Sequence, residues 1–128
     1  MNAIIENLLT RRSTRAFLQK EIPDNELNEI LQAAIYAPSG MGKQTWKFTV
    51  LCNQEKIQQL AELIGRKLGR KGYDMYRPQV LIIPSNQKEN PHGMEDNACA
   101  LENIFLAAHS FGIGSVWINQ LRTLCDDP

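Results

Sequence analysis

Helical and strand-like apolar patterns alternate along the chain, and this alternation constrains the fold more than any other feature. Apolar residues repeat at helical spacing in four segments: about 2–10, 24–36, 57–68 and 95–111. Three segments have the apolar, β-branched or aromatic composition of strands: 46–51, 80–83 and 114–118. Each connection between strands is long enough for a helix. The pattern therefore predicts helices covering a small sheet.

Proline, glycine and aspartate mark where these elements start and stop. Pro23 disfavours helix before it, and Asp24 is placed to cap the first turn of the second helix. Pro84 is predicted to end the second strand, and Gly112 to end the last helix. The order of elements is thereby set without any internal repeat.

Length and charge exclude several classes of protein. A chain of 128 residues with 43% hydrophobic content predicts one domain, residues 1–128, with a real core. Fourteen basic residues balance fourteen acidic ones, so the broad positive field that binds nucleic acid or an anionic membrane is missing. No apolar run reaches the roughly 18 residues of a bilayer span, and the start does not read as a signal peptide. We expect a cytoplasmic protein with no membrane or nucleic-acid partner.

The densest charge feature is Arg11-Arg12-Ser13-Thr14-Arg15, directly after the first helix. Guanidinium groups bind phosphate oxygens through paired hydrogen bonds, and hydroxyl groups add donors, so the cluster suits a phosphate monoester. A solvated basic turn is the alternative, because short basic runs are common on protein surfaces.

Two further segments contain paired glycines. The helix-to-strand loop of residues 37–46 could let the backbone approach a flat ligand, and the alternative is a plain flexible connection. Residues 112–120 place glycines at a strand entrance and polar amides at its exit, which alone is a weak signal. Neither fits GxGxxG, and the P-loop and GxSxG motifs do not occur, so the sequence gives no support to a nucleotide fold or a serine hydrolase.

The remaining reactive side chains form no convincing catalytic or metal-binding set. His92 is predicted in a loop, and His109 in a capping or packing role at a helix end. Cys99 is expected to be a small buried apolar residue, and Glu95 and Asp96 to favour a helix N-terminus. The three cysteines lack CxxC spacing, which argues against a disulfide framework and a zinc site.

Taken in order, three segments resemble the nitroreductase family of FMN-dependent oxidoreductases. The family's Arg-Arg/His-Ser-x-Arg/Lys motif is similar to residues 11–15. Its Ala-Pro-Ser-Gly/Ser-x-x-x-Gln-Pro-Trp segment is similar to residues 37–46, although Gly42 stands where asparagine is usual and Thr45 where proline is usual. Its Gly-Leu-Gly-Ser-x-Trp-Ile stretch, which follows a long helix, is similar to residues 112–118.

The resemblance implies an α+β fold with a small, mainly antiparallel central sheet. It also implies FMN as cofactor, NAD(P)H as co-substrate, and hydride transfer to small electron-poor acceptors such as nitroaromatics or quinones. Family members are homodimers with two sites at the interface, where the loop after Pro38 reaches the flavin of the opposite subunit. By matching position, the implied FMN-binding residues are Arg11, Arg12, Ser13, Arg15, Pro38, Ser39, Gly40, Gln44, Gly114 and Ser115. No side chain needs to act as a catalytic acid or base, and no metal is implied.

Family members continue past the third motif with a further helix, a strand carrying a basic pair, and a tail that crosses to the partner. This sequence stops at Pro128, so we expect the C-terminal strand of the fold to be missing and flavin binding to be weakened. Two alternatives to the enzyme stay open. One is a flavin-binding or vestigial protein without turnover, and the other is a structural or partner-binding domain without flavin.

Overall fold

Five α-helices and two strands follow one another along residues 1–125, which are the residues that this computed structural model describes. The elements are α1 (Ala3–Thr10), α2 (Asp24–Ile35), β1 (Trp46–Leu51), α3 (Gln54–Leu68), β2 (Leu81–Asn86), α4 (Gly93–Ser110) and α5 (Gln120–Thr123), with a 3₁₀ turn at Gly40–Gly42. The predicted domain end at residue 128 lies outside the described residues. The α+β class predicted from the sequence is confirmed.

The two strands form an antiparallel pair whose faces carry separate cores. In the register, Phe48 lies opposite Pro84 and Val50 opposite Ile82. Side chains alternate between faces along a strand, so Phe48 and Ile82 pack toward α2 and α4, while Leu51 packs toward α3. The sheet is therefore the middle layer between α2 and α4 on one side and α3 on the other.

Small residues let α2 and α4 pack closely. Their shared core holds four alanines and two isoleucines: Ile30, Ala34, Ala37, Ala100, Ile104 and Ala108. The second core is built from α3 and the loop after it: Ile57, Ala61, Ile64 and Met75. Along the 18-residue helix α4, residues spaced by four face α2, so this spacing determines which side of α4 is buried.

A capping side chain marks the start of α1, and a glycine marks the end of α4. The Asn2 side chain accepts the N–H of Ile5 at 3.0 Å and caps α1. Gly112, with φ of 74°, ends α4, and its N–H donates to the carbonyl of His109 at 2.9 Å. The predicted stop at Gly112 is confirmed.

The predicted cap at Asp24 is wrong, because Pro23 occupies the cap position and no side-chain hydrogen bond caps α2.

The prediction that Pro84 ends the second strand is wrong. β2 runs through Pro84 to Asn86. A strand with one neighbour needs only alternate N–H groups for its ladder, so proline can occupy a position whose N–H is not required.

The predicted third strand at 114–118 is also wrong for the described residues. This segment makes one isolated parallel bridge, between Ser13 and Ser115. A strand requires a ladder of backbone hydrogen bonds, and here only the short stretch around Thr14 lies alongside.

Burial on α4 also differs from prediction. Cys99 and Ala98 are exposed, where the sequence suggested that they are buried. The helix turns 100° per residue, which carries both of them away from the stripe formed by Ala100, Ile104 and Ala108. Within residues 1–125, no helix has the length and apolar content needed to cross a bilayer.

Candidate functional site

The basic cluster lines an open hollow at the C-terminal end of α1, which we call the arginine cavity. Its volume is about 270 Å³, and its lining residues are Arg11, Arg12, Ser13 and Arg15. Arg12 and Arg15 are exposed, while Arg11 is partly covered. Three guanidinium groups around one cavity provide hydrogen-bond donors and positive charge for an anion. This geometry favours a phosphate site over the alternative of a solvated basic turn.

Arg11 is held against α4 by two contacts. Its Nε lies 3.7 Å from Oε1 of Glu102, and its guanidinium carbon lies 5.8 Å from the centroid of the Phe105 ring. Glu102 is half exposed, so this ion pair contributes little stability and an anionic ligand can compete with it. The contacts restrict the side chain of Arg11 before any ligand binds.

The basic cluster meets the third glycine segment directly. Ser13 and Ser115 form an isolated parallel β-bridge, and the Thr14 N–H donates a hydrogen bond to the Ser115 carbonyl at 2.9 Å. Gly114 is packed so closely that a Cβ there would lie 2.8 Å from Cγ2 and 2.9 Å from Oγ1 of Thr14. Only glycine fits this approach, so two of the three sequence motifs form one surface next to the arginine cavity.

The other glycine loop lies at the opposite end of α4. Gly40 contacts Asp96 and His92 near the helix N-terminus, whereas Thr10 contacts His109 near its C-terminus, with 2.9 Å between Oγ1 and Nε2. Thirteen residues of helix separate Asp96 from His109, which at 1.5 Å per residue is about 20 Å. Within one chain, the structure therefore does not bring the loop residues to the basic cluster; these loop residues are Pro38, Ser39, Gly40 and Gln44.

Left-handed backbone gives this loop a defined shape. Met41 has φ of 57°, Gly42 of 65° and Gln44 of 50°. The Gln44 N–H donates to Oγ of Ser39 at 3.2 Å, which closes the turn. Two non-glycine residues in this region carry strain of about 1–3 kcal/mol each, as is common where a binding site fixes the chain.

A polar network lies behind the loop, and the sequence patterns do not predict it. Asp96 is only 4% exposed; its Oδ1 accepts the Gly40 N–H at 2.8 Å, and its Oδ2 accepts Nδ2 of Asn90 at 3.0 Å. Asn90 Nδ2 also donates to Oγ1 of Thr45 at 2.8 Å. The signal available in the sequence is the density of amides around the start of α4: Asn86, Asn90 and Asn97.

Tyr73 packs against the second core and is not among the residues that line the arginine cavity. Burial raises the pKa of Tyr73, whose hydroxyl donates to Oε1 of Gln120 at 3.1 Å. A hollow of about 320 Å³ lies on α2 and contains none of the predicted site residues; Glu29, Gln32, Ala33 and Tyr36 line it. Residues 1–125 contain no group of three or more His, Cys, Asp or Glu side chains placed to hold a metal ion.

Comparison with known proteins gives consistent matches. The Nitroreductase family model matches residues 8–74 and 66–124. The chain superimposes on a nitroreductase with bound FMN from Bacteroides fragilis with a TM-score of 0.95 and 45% identity, covering 100% of this chain and 75% of that one. An FMN-dependent nitroreductase from Clostridium difficile gives a TM-score of 0.84 with 26% identity over 88% of this chain and 58% of that one.

A curated relative from Methanothermobacter thermautotrophicus, provisionally named an NADH dehydrogenase/NAD(P)H nitroreductase, is 32% identical over 89% of this chain. The chain spans 59% of the length of that relative. The two matched ranges of the family model together cover nearly the whole chain. The chain therefore belongs to the nitroreductase family.

Proposed function

We propose that the chain is part of an FMN-dependent oxidoreductase that passes hydride from NAD(P)H to small electron-poor acceptors such as nitroaromatics or quinones. The observation that carries this proposal is the joining of the arginine cavity to Gly114 and Ser115 through the Thr14–Ser115 hydrogen bond. The arginine cavity offers an anion site, and the segment at Gly114 and Ser115, which is hydrogen-bonded beside it, offers backbone groups, so together they fit a ligand that is anionic at one end and flat at the other.

In this proposal the residues of the chain bind and orient the cofactor. Arg11, Arg12 and Arg15 donate to the phosphate, and Ser13 adds a hydroxyl donor. The backbone at Gly114 and Ser115 lies along the isoalloxazine ring. Bound FMN supplies the hydride chemistry, so no side chain is assigned as a catalytic acid or base.

We further propose that the active form is a homodimer with shared sites. The loop residues Pro38, Ser39, Gly40 and Gln44 would reach the flavin held by the basic cluster of the other subunit. The distance of about 20 Å along α4 between the loop and the basic cluster of one chain supports this arrangement.

The outward face of α1 supports the same assembly. The polar side of α1 faces α4, where Nδ2 of Asn7 donates to the carbonyl of Leu106 at 2.9 Å. Its apolar side is exposed, with Ile4 at 73%, Leu8 at 47% and Leu9 at 66%. A helix that turns its apolar side outward offers a surface for a second copy.

Residues 1–128 would form a single domain, because the two cores share one sheet. The zero formal charge supports small-molecule partners over nucleic acid or an anionic membrane, and we propose a cytoplasmic location.

A visible spectrum of the purified chain, reconstituted with FMN, tests the proposal. If the chain is the proposed enzyme, we expect a yellow protein that bleaches with NADH or NADPH and regains its colour when a quinone or nitroaromatic is added. Bound flavin that is not reduced would favour the vestigial protein without turnover. A colourless protein that does not take up FMN would contradict the proposal and favour a structural domain.

A further inference from the structure

We infer that Asp96 is a positioning residue for the flavin-contacting loop, acting through the backbone N–H of Gly40. The inference rests on the proposed function, since that assigns the loop to the flavin site. It adds a residue outside the three motifs, on a different element from the loop that it holds.

Each carboxylate oxygen of Asp96 faces a hydrogen-bond donor, so both oxygens must act as acceptors. Oδ1 faces the Gly40 N–H at 2.8 Å, and Oδ2 faces Nδ2 of Asn90 at 3.0 Å. Asn90 cannot simply turn its amide around, because Nδ2 also donates to Oγ1 of Thr45 and its Oδ1 accepts the His92 N–H at 2.9 Å. Between two fixed donors, a carboxylate satisfies both, whereas an asparagine at position 96 presents a donor to one of them.

The burial of Asp96 gives this geometry its effect. Asp96 is 4% exposed, so water cannot readily replace a lost partner at this carboxylate, and an unpaired polar group at a buried position is costly. His92 packs against the other side of Gly40, because a Cβ there would lie 2.8 Å from Cδ2 of His92. Gly40 is thus seated between a carboxylate and an imidazole, both at the beginning of α4.

Gly40 in turn sets the rest of the loop. Its carbonyl accepts the N–H of Lys43, and the Gly42 N–H donates to the Ser39 carbonyl at 3.0 Å, so the 3₁₀ turn begins at the residue that Asp96 holds. A shift of Gly40 therefore moves Ser39 and Gln44, which are two of the proposed flavin contacts. Asp96 does not touch the flavin in this arrangement.

The test compares three variants of the full chain with the wild type. Asp96→Asn keeps the shape and introduces the donor conflict. Glu95→Gln removes the charge of the exposed neighbour on the same helix and is the matched control. The double variant Asn90→Asp/Asp96→Asn exchanges the two groups, so that the new carboxylate at position 90 accepts from the new amide at position 96, whose oxygen again faces Gly40. The Thr45 hydroxyl, which otherwise donates to Asn86, can turn to donate to the carboxylate at position 90.

The first readout is amide hydrogen exchange at Gly40 in flavin-free protein. We expect about tenfold faster exchange in Asp96→Asn than in the wild type or Glu95→Gln, and slower exchange again in the double variant. The second readout is FMN affinity with visible circular dichroism of the bound flavin. We expect about tenfold weaker binding and an altered spectrum for Asp96→Asn, with recovery in the double variant.

The outcomes separate this inference from the function on which it rests. A wild-type chain that binds no FMN overturns the proposed function and the inference with it. A wild type that binds FMN, with affinity and spectrum unchanged in Asp96→Asn even if its melting temperature falls, overturns the inference alone and leaves Asp96 a purely structural residue. Unchanged Gly40 exchange in Asp96→Asn overturns it as well.

Discussion

The backbone N–H of Thr14 donates to the carbonyl oxygen of Ser115 at 2.9 Å, although 101 positions separate the two residues in the sequence. This bond places the basic cluster after α1 beside the segment after α4. The proposed phosphate site and the proposed ring site therefore depend on one close approach of two chain segments.

Replacing Gly114 with alanine tests this approach. The new Cβ would lie within 2.9 Å of three atoms of Thr14, a β-branched side chain that cannot easily turn away. Overpacking of this kind costs about 1–3 kcal/mol, so we expect FMN affinity to fall by about tenfold or more. Affinity is measured by quenching of flavin fluorescence.

The control for this experiment is the double variant Thr14→Ala/Gly114→Ala. It removes two of the three crowded atoms, so we expect partial recovery of affinity. Equal binding by Gly114→Ala and the wild type would show that FMN does not depend on this contact.

Removing single guanidinium groups tests the phosphate site. A charge-assisted hydrogen bond contributes about 1.5–3 kcal/mol, so Arg11→Ala and Arg15→Ala should each weaken FMN binding by about 10- to 100-fold. Riboflavin lacks the phosphate and should bind the wild type and both variants equally. Titration of each ligand into each protein gives the comparison.

Arg66→Ala, at the exposed end of α3, is the matched control for loss of one positive charge. If it weakens FMN binding as much as Arg11→Ala does, the effect is general electrostatics and the cavity is not the phosphate site.

Tyr73 predicts a loss of stability at high pH. Burial raises its pKa above the usual 10.0, so the unfolded chain releases this proton at lower pH than the folded chain does. The stabilisation is complete below about pH 10 and is lost as the pH rises through the folded pKa. Urea unfolding at pH 9, 10 and 11 should show that the free energy of unfolding falls more steeply with pH in the wild type than in Tyr73→Phe. An identical dependence on pH in the two proteins would contradict the prediction.

The sequence predicted those parts of the fold that depend on local chemistry. Gly112 ends α4 because the left-handed backbone there suits glycine, a property readable from the chain alone. The strand expected at 114–118 fails because a strand also needs a neighbour, and local composition does not say which segment lies beside Ser115. The exposure of Cys99 likewise depends on which side of α4 receives α2.

The candidate site divides in the same way. The arginine cluster was visible as a motif, because its chemistry is carried by adjacent residues. Asp96 was interpreted as a residue favouring the helix N-terminus, since nothing local shows that Gly40 approaches it from 56 positions away. The roles of the predicted FMN-binding residues stay predictions.

The exposed apolar side of α1 predicts that a charge there prevents dimer formation. Leu9 is 66% exposed, so Leu9→Asp should not disturb the core, and an unpaired charge buried at an interface is strongly unfavourable. Sedimentation at micromolar concentration should show a dimer for the wild type and a monomer for the variant. Leu63→Asp, on exposed α3 surface, is the control and should stay dimeric; a monomeric wild type would contradict the assembly.

Shared sites also predict that two defective chains can restore one another. In Arg11→Ala/Arg15→Ala the basic cluster fails, and in Gly40→Val the loop fails because the new side chain meets His92. A mixed dimer places both defects in one site and leaves the other site with an intact cluster and an intact loop. Random mixing of equal amounts makes half of the dimers mixed, so we expect roughly a quarter of wild-type NADH-dependent quinone reduction from two chains that are each inactive alone. No recovery after co-expression, with mixed dimers demonstrated by mass spectrometry, would mean that each site is built from a single chain.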